Sequence, residues 1–268
     1  MNNEQSTYFK SSFGSIYYKE SGPENAPAII MIHGVGMNHI TFDQQVRELS
    51  KKYRTLVWDL PGHGKSSLDN YNKRFTILSA ECLNELMVHI GIDKAFFVGQ
   101  SMGSLVVQHF QHKHPDKVFG SAHVPGIELK RHVGKWAKLF VPLMMGMLHL
   151  FPAKSFYKAF GKHRSVDKDV QKYLAEAIAE CGKKLALRIT KDMVDDLIDK
   201  APEIQPRPLL ITYGEKDLFF IRKACEKWSK NANGSICYKI KRANHIANQD
   251  NSFDFNEQLL KFLGSLNY

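Results

Sequence analysis

Residues 95–105, Ala-Phe-Phe-Val-Gly-Gln-Ser-Met-Gly-Ser-Leu, constrain what this chain can fold into more than any other stretch. The apolar run 95–98 has the composition of a buried strand. It passes at once through Gly99-Gln100-Ser101-Met102-Gly103 into Leu105, Val106, Val107 and Phe110, which recur at roughly helical spacing until Pro115 closes the segment. A strand that turns into a helix over a single serine holds that serine in a strained backbone conformation, with its hydroxyl raised above the sheet. Gly99 and Gly103 flank it because a Cβ at either position would collide where strand and helix pass closely.

The rest of the chain repeats the strand-to-helix alternation. Residues 15–20 read as a hairpin strand, and 28–32 and 55–58 as buried strands. Helices are expected over 42–52 and 76–90, the second capped by Thr76 and stopped by Gly91. After the serine turn comes a strand at 118–124. The alternation then breaks over 126–205, which is helix-like, basic and Met-rich, and resumes with strands at 208–213 and 235–240 and a closing helix at 253–263. Such alternation implies a mostly parallel sheet covered by helices on both faces. The expected division is a core of residues 1–125 and 206–268 with a helical insertion, a cap, at 126–205. Chemistry in such sheets belongs at the carboxyl ends of the strands. His33-Gly34, Asp59-Leu60-Pro61-Gly62 and Ser101 all fall there.

Length and composition suit one large domain. Four dispersed cysteines without a C-x-x-C pair read as free thiols of a reducing cytoplasm, so a cytoplasmic location and no metal site are expected. The first ten residues are polar and no run reaches the length of a membrane span. The formal charge of +10 is concentrated: residues 128–164 carry eight Lys or Arg against the single acid Glu128. No nucleic-acid recognition motif accompanies that charge, so no nucleic-acid partner is expected, and a solvated basic face accounts for it. His109, His112 and His114 read as a solvated group favoured by the helix dipole.

Five motifs stand in order: His33-Gly34, Asp59-Leu60-Pro61-Gly62-His63-Gly64-Lys65-Ser66, Gly99-Gln100-Ser101-Met102-Gly103, Gly214-Glu215-Lys216-Asp217, and His245. With them the chain resembles the capped α/β-hydrolases, and the order nucleophile, acid, histidine is the one that fold uses. A serine hydroxyl is a poor nucleophile at neutral pH and needs a base to take its proton. His245 is the candidate base, and Asp217 the group that fixes its tautomer. The resemblance implies an oxyanion hole from the backbone N–H groups of Val35 and Met102, with Gly34, Gly99 and Gly103 setting loop geometry. His33 and Asp250 read as structural. Asn244 stands where the family commonly has glycine, and asparagine tolerates unusual backbone angles. Ser252 and Ser104 replace a frequent proline and glycine, respectively.

The expected activity is cleavage of a carboxylic ester, or a related acyl bond of a small apolar substrate, through an acyl-enzyme and without a cofactor. Lactonase, thioesterase, C–C hydrolase and cofactor-free haloperoxidase chemistry use the same triad. A small-molecule receptor with residual hydrolysis is the alternative of another class. Residues 139–151, apolar and flanked by basic residues, suggest a cap helix packed on the core, with a weak contact to anionic lipid as the sharper reading.

Overall fold

The computed structural model describes residues 5–129, 137–199 and 202–266. Its eight strands are β1 (Gln5–Ser11), β2 (Gly14–Ser21), β3 (Ala28–Ile32), β4 (Arg54–Trp58), β5 (Ala95–Gln100), β6 (Val118–Val124), β7 (Leu209–Gly214) and β8 (Ile236–Ile240). They form one sheet in the order β1-β2-β4-β3-β5-β6-β7-β8. The strands from β3 onward run parallel, and β1 and β2 close one edge antiparallel. The α-helices are α1 (Asp43–Leu49), α2 (Phe75–His89), α3 (Met102–Lys113), α4 (Ala137–Leu150), α5 (Ala153–Lys162), α6 (Lys168–Cys181), α7 (Lys183–Ile198), α8 (Phe219–Asn231), α9 (Ala247–Asp250) and α10 (Ser252–Gly264).

The continuous apolar runs seen in the sequence belong to strands buried on both faces. Along β3, Ile30 and Ile32 face one way, packing with Leu86 and Val106 of α2 and α3. Ile29 and Met31 face the other, packing with Leu49 of α1 and Phe255 and Leu259 of α10. Strand alternation with period two splits one apolar run between two cores, which is why the sequence of β3 shows no amphipathic pattern. Two elements of more than four residues escaped the sequence reading. One is β1, an edge strand of mostly polar residues. The other is α8, whose buried face is only Ile221, Cys225 and Trp228.

The N-terminus of α2 departs from expectation. Arg74 occupies the N-cap position and Thr76 lies inside the first turn. The Thr76 hydroxyl instead donates to Asp196 of α7 at 2.6 Å. Asp192, one turn earlier on α7, accepts from the Phe75 backbone N–H at 2.9 Å. Asp192 of α7 therefore supplies, from far along the chain, an acceptor that a local capping residue would otherwise give. The three histidines at the end of α3 have more partners than expected. His109 Nε2 lies 3.5 Å from Asp196 with 11 % of its side chain exposed, and His112 Nδ1 donates to the Glu203 carbonyl at 2.7 Å. His114 packs on Phe110, and burial, followed by the charges of Lys117 and Lys113, pulls its pKa down. His109 and His112 thus tie the end of α3 to the last turn of α7 and to the chain that follows it, and His112 stays exposed as expected.

Helices α4 to α7 all lie between β6 and β7 in the chain. Of the basic residues in that region, Lys130, Arg131 and Lys135 lie outside the described residues. Helix α4 exposes Leu143, Met147 and Leu150. Among the described residues, no helix is long and apolar enough to cross a membrane.

Candidate active site

The serine turn has the geometry its sequence demands. Ser101 sits at φ 51°, ψ −113°, immediately before α3. Among the described residues, only Ser101 and Arg242 combine a side chain with a left-handed φ. Such a conformation costs on the order of 1–3 kcal/mol, which the surrounding structure must offset. The flanking glycines are steric requirements. A Cβ on Gly103 would lie 2.1 Å from the Ile32 carbonyl oxygen, and one on Gly99 would lie 2.7 Å from the Gly103 backbone. A Cβ on Gly34 would meet Gln100 Oε1 at 2.3 Å and Ser101 Cβ at 3.2 Å. Strand β3, its following loop and α3 are thus in backbone contact around the serine.

Asp217 and His245 arrive on the loops after β7 and β8. Those loops are laced together: Glu215 N–H donates to the Ile240 carbonyl at 2.9 Å and Lys216 N–H to that of Ala243 at 2.8 Å. Gly214 allows the approach, because a Cβ there would lie 2.0 Å from the Asn244 carbonyl oxygen. His245 Nδ1 donates to Asp217 at 3.0 Å (Oδ2) and 3.2 Å (Oδ1), and Leu218 N–H donates to Oδ1 at 2.7 Å. With Nδ1 so engaged, Nε2 is the acceptor for the Ser101 hydroxyl, 3.0 Å away. The three residues named from the sequence therefore form one continuous hydrogen-bonded chain.

Val35 and Met102 are buried beside Ser101, Val35 following Gly34 and Met102 opening α3. Among the described residues, neither backbone N–H is taken by another protein group. That of Met102 belongs to the first helical turn, where no intrahelical acceptor exists. Both amides are free to donate to a negatively charged oxygen.

His33 and His63 are organisers. Burial holds His33 down at about pKa 4 and His63 at about 3, so both rings are neutral. His33 Nδ1 donates to the Gly34 carbonyl at 2.8 Å, while Nε2 accepts from Leu60 N–H at 3.0 Å, tying the loop that carries Val35 to the one after β4. Asp59 is the hub of that second loop. It accepts from His39 N–H and Nδ1 at 2.7 and 2.8 Å and from Lys65 N–H at 2.9 Å. Burial raises its pKa, but these bonds outweigh burial and hold the carboxyl below its usual range.

Asn244 works through its side chain and not through a left-handed backbone, which falls to Arg242 two residues earlier. Its Oδ1 accepts from His245 N–H at 2.9 Å, and its Nδ2 donates to the His163 carbonyl at 3.2 Å. Asp250 accepts from Asn244 N–H at 2.7 Å and from the Ser165 hydroxyl, joining the His245 loop to the chain after α5. Ser104 likewise has a partner, His123 Nδ1 at 2.7 Å. The ties of Asn244 to His163, of Asp250 to Ser165 and of Ser104 to His123 were invisible in the sequence, because they join residues about 20 to 90 positions apart. Among the described residues, no three His, Cys, Asp or Glu are grouped to hold a metal ion.

A pocket of about 330 Å³ opens against Val35, lined by Leu148, Phe156, Phe160, Ile178 and Leu187 of α4 to α7, with Arg164. A family model described as the alpha/beta hydrolase fold matches residues 27–165, just over half of the chain. The chain belongs to the α/β-hydrolase fold family.

Other members of the α/β-hydrolase family resemble parts or all of it. An uncharacterized carboxylesterase of Bacillus subtilis is 28 % identical over 118 residues, 44 % of this chain and 39 % of that protein. The 3-oxoadipate enol-lactonase 1 of Acinetobacter baylyi is 38 % identical over 85 residues, 32 % of this chain and 31 % of that one. Both matches thus span less than half the relative's length. The crystal structure of an enol-lactonase from Burkholderia xenovorans superposes with a TM-score of 0.79 at 20 % identity, over 97 % of this chain and all of that one. At that identity the likeness is one of fold.

Proposed function

We propose that this protein is a serine hydrolase that cleaves a carboxylic ester, or a closely related acyl bond, through an acyl-enzyme. The observation that carries the reading is the unbroken chain from Ser101 through His245 to Asp217 at a strained turn, beside two undersubscribed amides. In the first half-reaction His245 Nε2 takes the Ser101 proton as Oγ attacks the acyl carbon. The oxygen that becomes negative sits between the N–H groups of Val35 and Met102. Asp217 steadies the imidazolium. His245 then returns the proton to the leaving alcohol, and Ser101 is left acylated. Water, deprotonated by the same nitrogen, attacks the acyl-enzyme, and the acid departs with Ser101 regenerated. The esterase and enol-lactonase among its relatives are compatible with this chemistry.

Residues 126–205 act in this reading as a cap. Support comes from the pocket, whose wall on one side is Val35 of the sheet domain and on the other the helices α4 to α7. An apolar acyl chain lying there gains about 0.8 kcal/mol per buried methylene, about fourfold in kcat/KM for each carbon. Across p-nitrophenyl acetate, butyrate, hexanoate and octanoate, kcat/KM is expected to rise with chain length until the pocket is filled, then level or fall. Absence of hydrolysis of every ester in the series by folded protein would overturn the reading.

A further inference from the structure

Arg164 is out of place in the pocket described above. It lies among Leu148, Phe156, Phe160, Ile178 and Leu187, the surroundings least suited to a cation. Its guanidinium stacks on the Phe160 ring, 3.8 Å from the centroid. One nitrogen, Nη1, donates to the Phe160 carbonyl at the long distance of 3.3 Å. Among the described residues, no carboxylate lies within ion-pair distance of it. The negative group whose field it feels, Asp217, is already committed to His245 and to the Leu218 N–H. Burial pulls the Arg164 pKa to about 10, still well above neutrality, so the side chain carries its charge. Among the described residues the Phe160 carbonyl is the one protein acceptor the guanidinium meets, so donors remain for something else.

The residue is also held in place. The Arg164 carbonyl accepts from Ile246 N–H at 3.1 Å, next to His245 in the chain. Ser165 and Val166, immediately following, are bonded to Asp250. A cation fixed to the loop of the catalytic histidine, short of partners, and lining the same pocket as Val35 is a preorganised receptor for an anion.

We propose that Arg164 binds a carboxylate of the substrate, so that the pocket takes esters of acids whose acyl chain ends in a second, ionised carboxyl group. This rests on the serine-hydrolase reading above and names the substrate class of that site. The planar fork of arginine suits a carboxylate bidentately, and the apolar walls suit the methylenes between the two ends. A merely structural role, holding α5 through Phe160, would make the guanidinium indifferent to the charge of the acyl chain.

The test compares two esters with five-carbon acyl groups, mono-p-nitrophenyl glutarate (anionic) and p-nitrophenyl valerate (neutral). The wild type is expected to favour the anionic ester in kcat/KM by about tenfold or more. Arg164→Gln is expected to lower the ratio of the two by about 10- to 100-fold, and Arg164→Lys to restore part of it. In parallel, succinate, glutarate and adipate are titrated into Ser101→Ala protein by calorimetry. At least one should bind, and binding should vanish in the Ser101→Ala, Arg164→Gln double variant, whose fold is checked by circular dichroism. Esters hydrolysed with a ratio that Arg164→Gln leaves unmoved would overturn the proposal, as would failure of all three dicarboxylates to bind. Dicarboxylate binding that depends on Arg164, with neither ester hydrolysed, would uphold the anion site and refute the hydrolase reading instead.

Discussion

Replacing Ser101 by alanine is expected to lower kcat on a p-nitrophenyl ester by about 10⁴-fold or more, with the protein still folded. The alanine removes the oxygen that receives the acyl group, leaving only the amides of Val35 and Met102 and the pocket to favour attack by water. His245→Ala is expected to cost about as much, because the Ser101 hydroxyl then has no acceptor 3.0 Å away. The double variant should be no slower than either single one, since the two groups act as a unit and either loss disables both. Steady-state kinetics on the three variants decide this. Additive losses, or a Ser101→Ala protein with more than a hundredth of wild-type turnover, would show that another nucleophile is at work.

The second large effect is on stability and comes from the smallest possible change. Gly103→Ala places a methyl 2.1 Å from the Ile32 carbonyl oxygen, where the neighbour is backbone of the central strand β3 and cannot swing aside. Overpacking of this kind costs about 3 kcal/mol or more when the obstacle is rigid, enough to remove a large part of the stability of an ordinary domain. Gly146→Ala is the control. This residue lies inside α4 with nothing within 4 Å of an added Cβ, so the substitution should stabilise by about 0.5–1 kcal/mol through helix propensity. Urea titration of both variants measures the difference directly. A Gly103→Ala midpoint equal to wild type would mean that β3 and α3 do not pass as closely as described.

How much of this was legible in the sequence depends on the range of the interactions involved. The strand, turn and helix around Ser101 are local, and their demands on Gly99, Gly103 and residues 95–98 are written in adjacent positions. That Ser101, Asp217 and His245 could meet was readable because parallel strands deliver their following loops to one edge of the sheet, while their order along the chain came from the resemblance to the α/β-hydrolases. What could not be read was the cross-chain wiring. Thr76 looks like a helix cap because threonine caps helices, but the helix-end N–H of Phe75 donates to Asp192 and the Thr76 hydroxyl to Asp196, both more than 115 positions away. Asn244 looked like a backbone device because asparagine tolerates left-handed angles, whereas its amide is what matters, braced between His245 and His163. Arg164 carried only a faint local signal, an aromatic residue four positions before it at helical spacing. That pairing says nothing of the pocket, whose walls come from elements spread between Val35 and Thr190.

The chemistry turns on one oxygen atom, Ser101 Oγ, and a covalent trap reads it most directly. Wild-type protein is treated with a fluorophosphonate, digested, and the modified peptide sequenced by mass spectrometry, with Ser101→Ala treated alongside. The expected result is a single stoichiometric adduct on Ser101, absent from the variant and much slowed in His245→Ala. An adduct on any other residue, or equal labelling of wild type and Ser101→Ala, would contradict the assignment of Ser101 as the nucleophile.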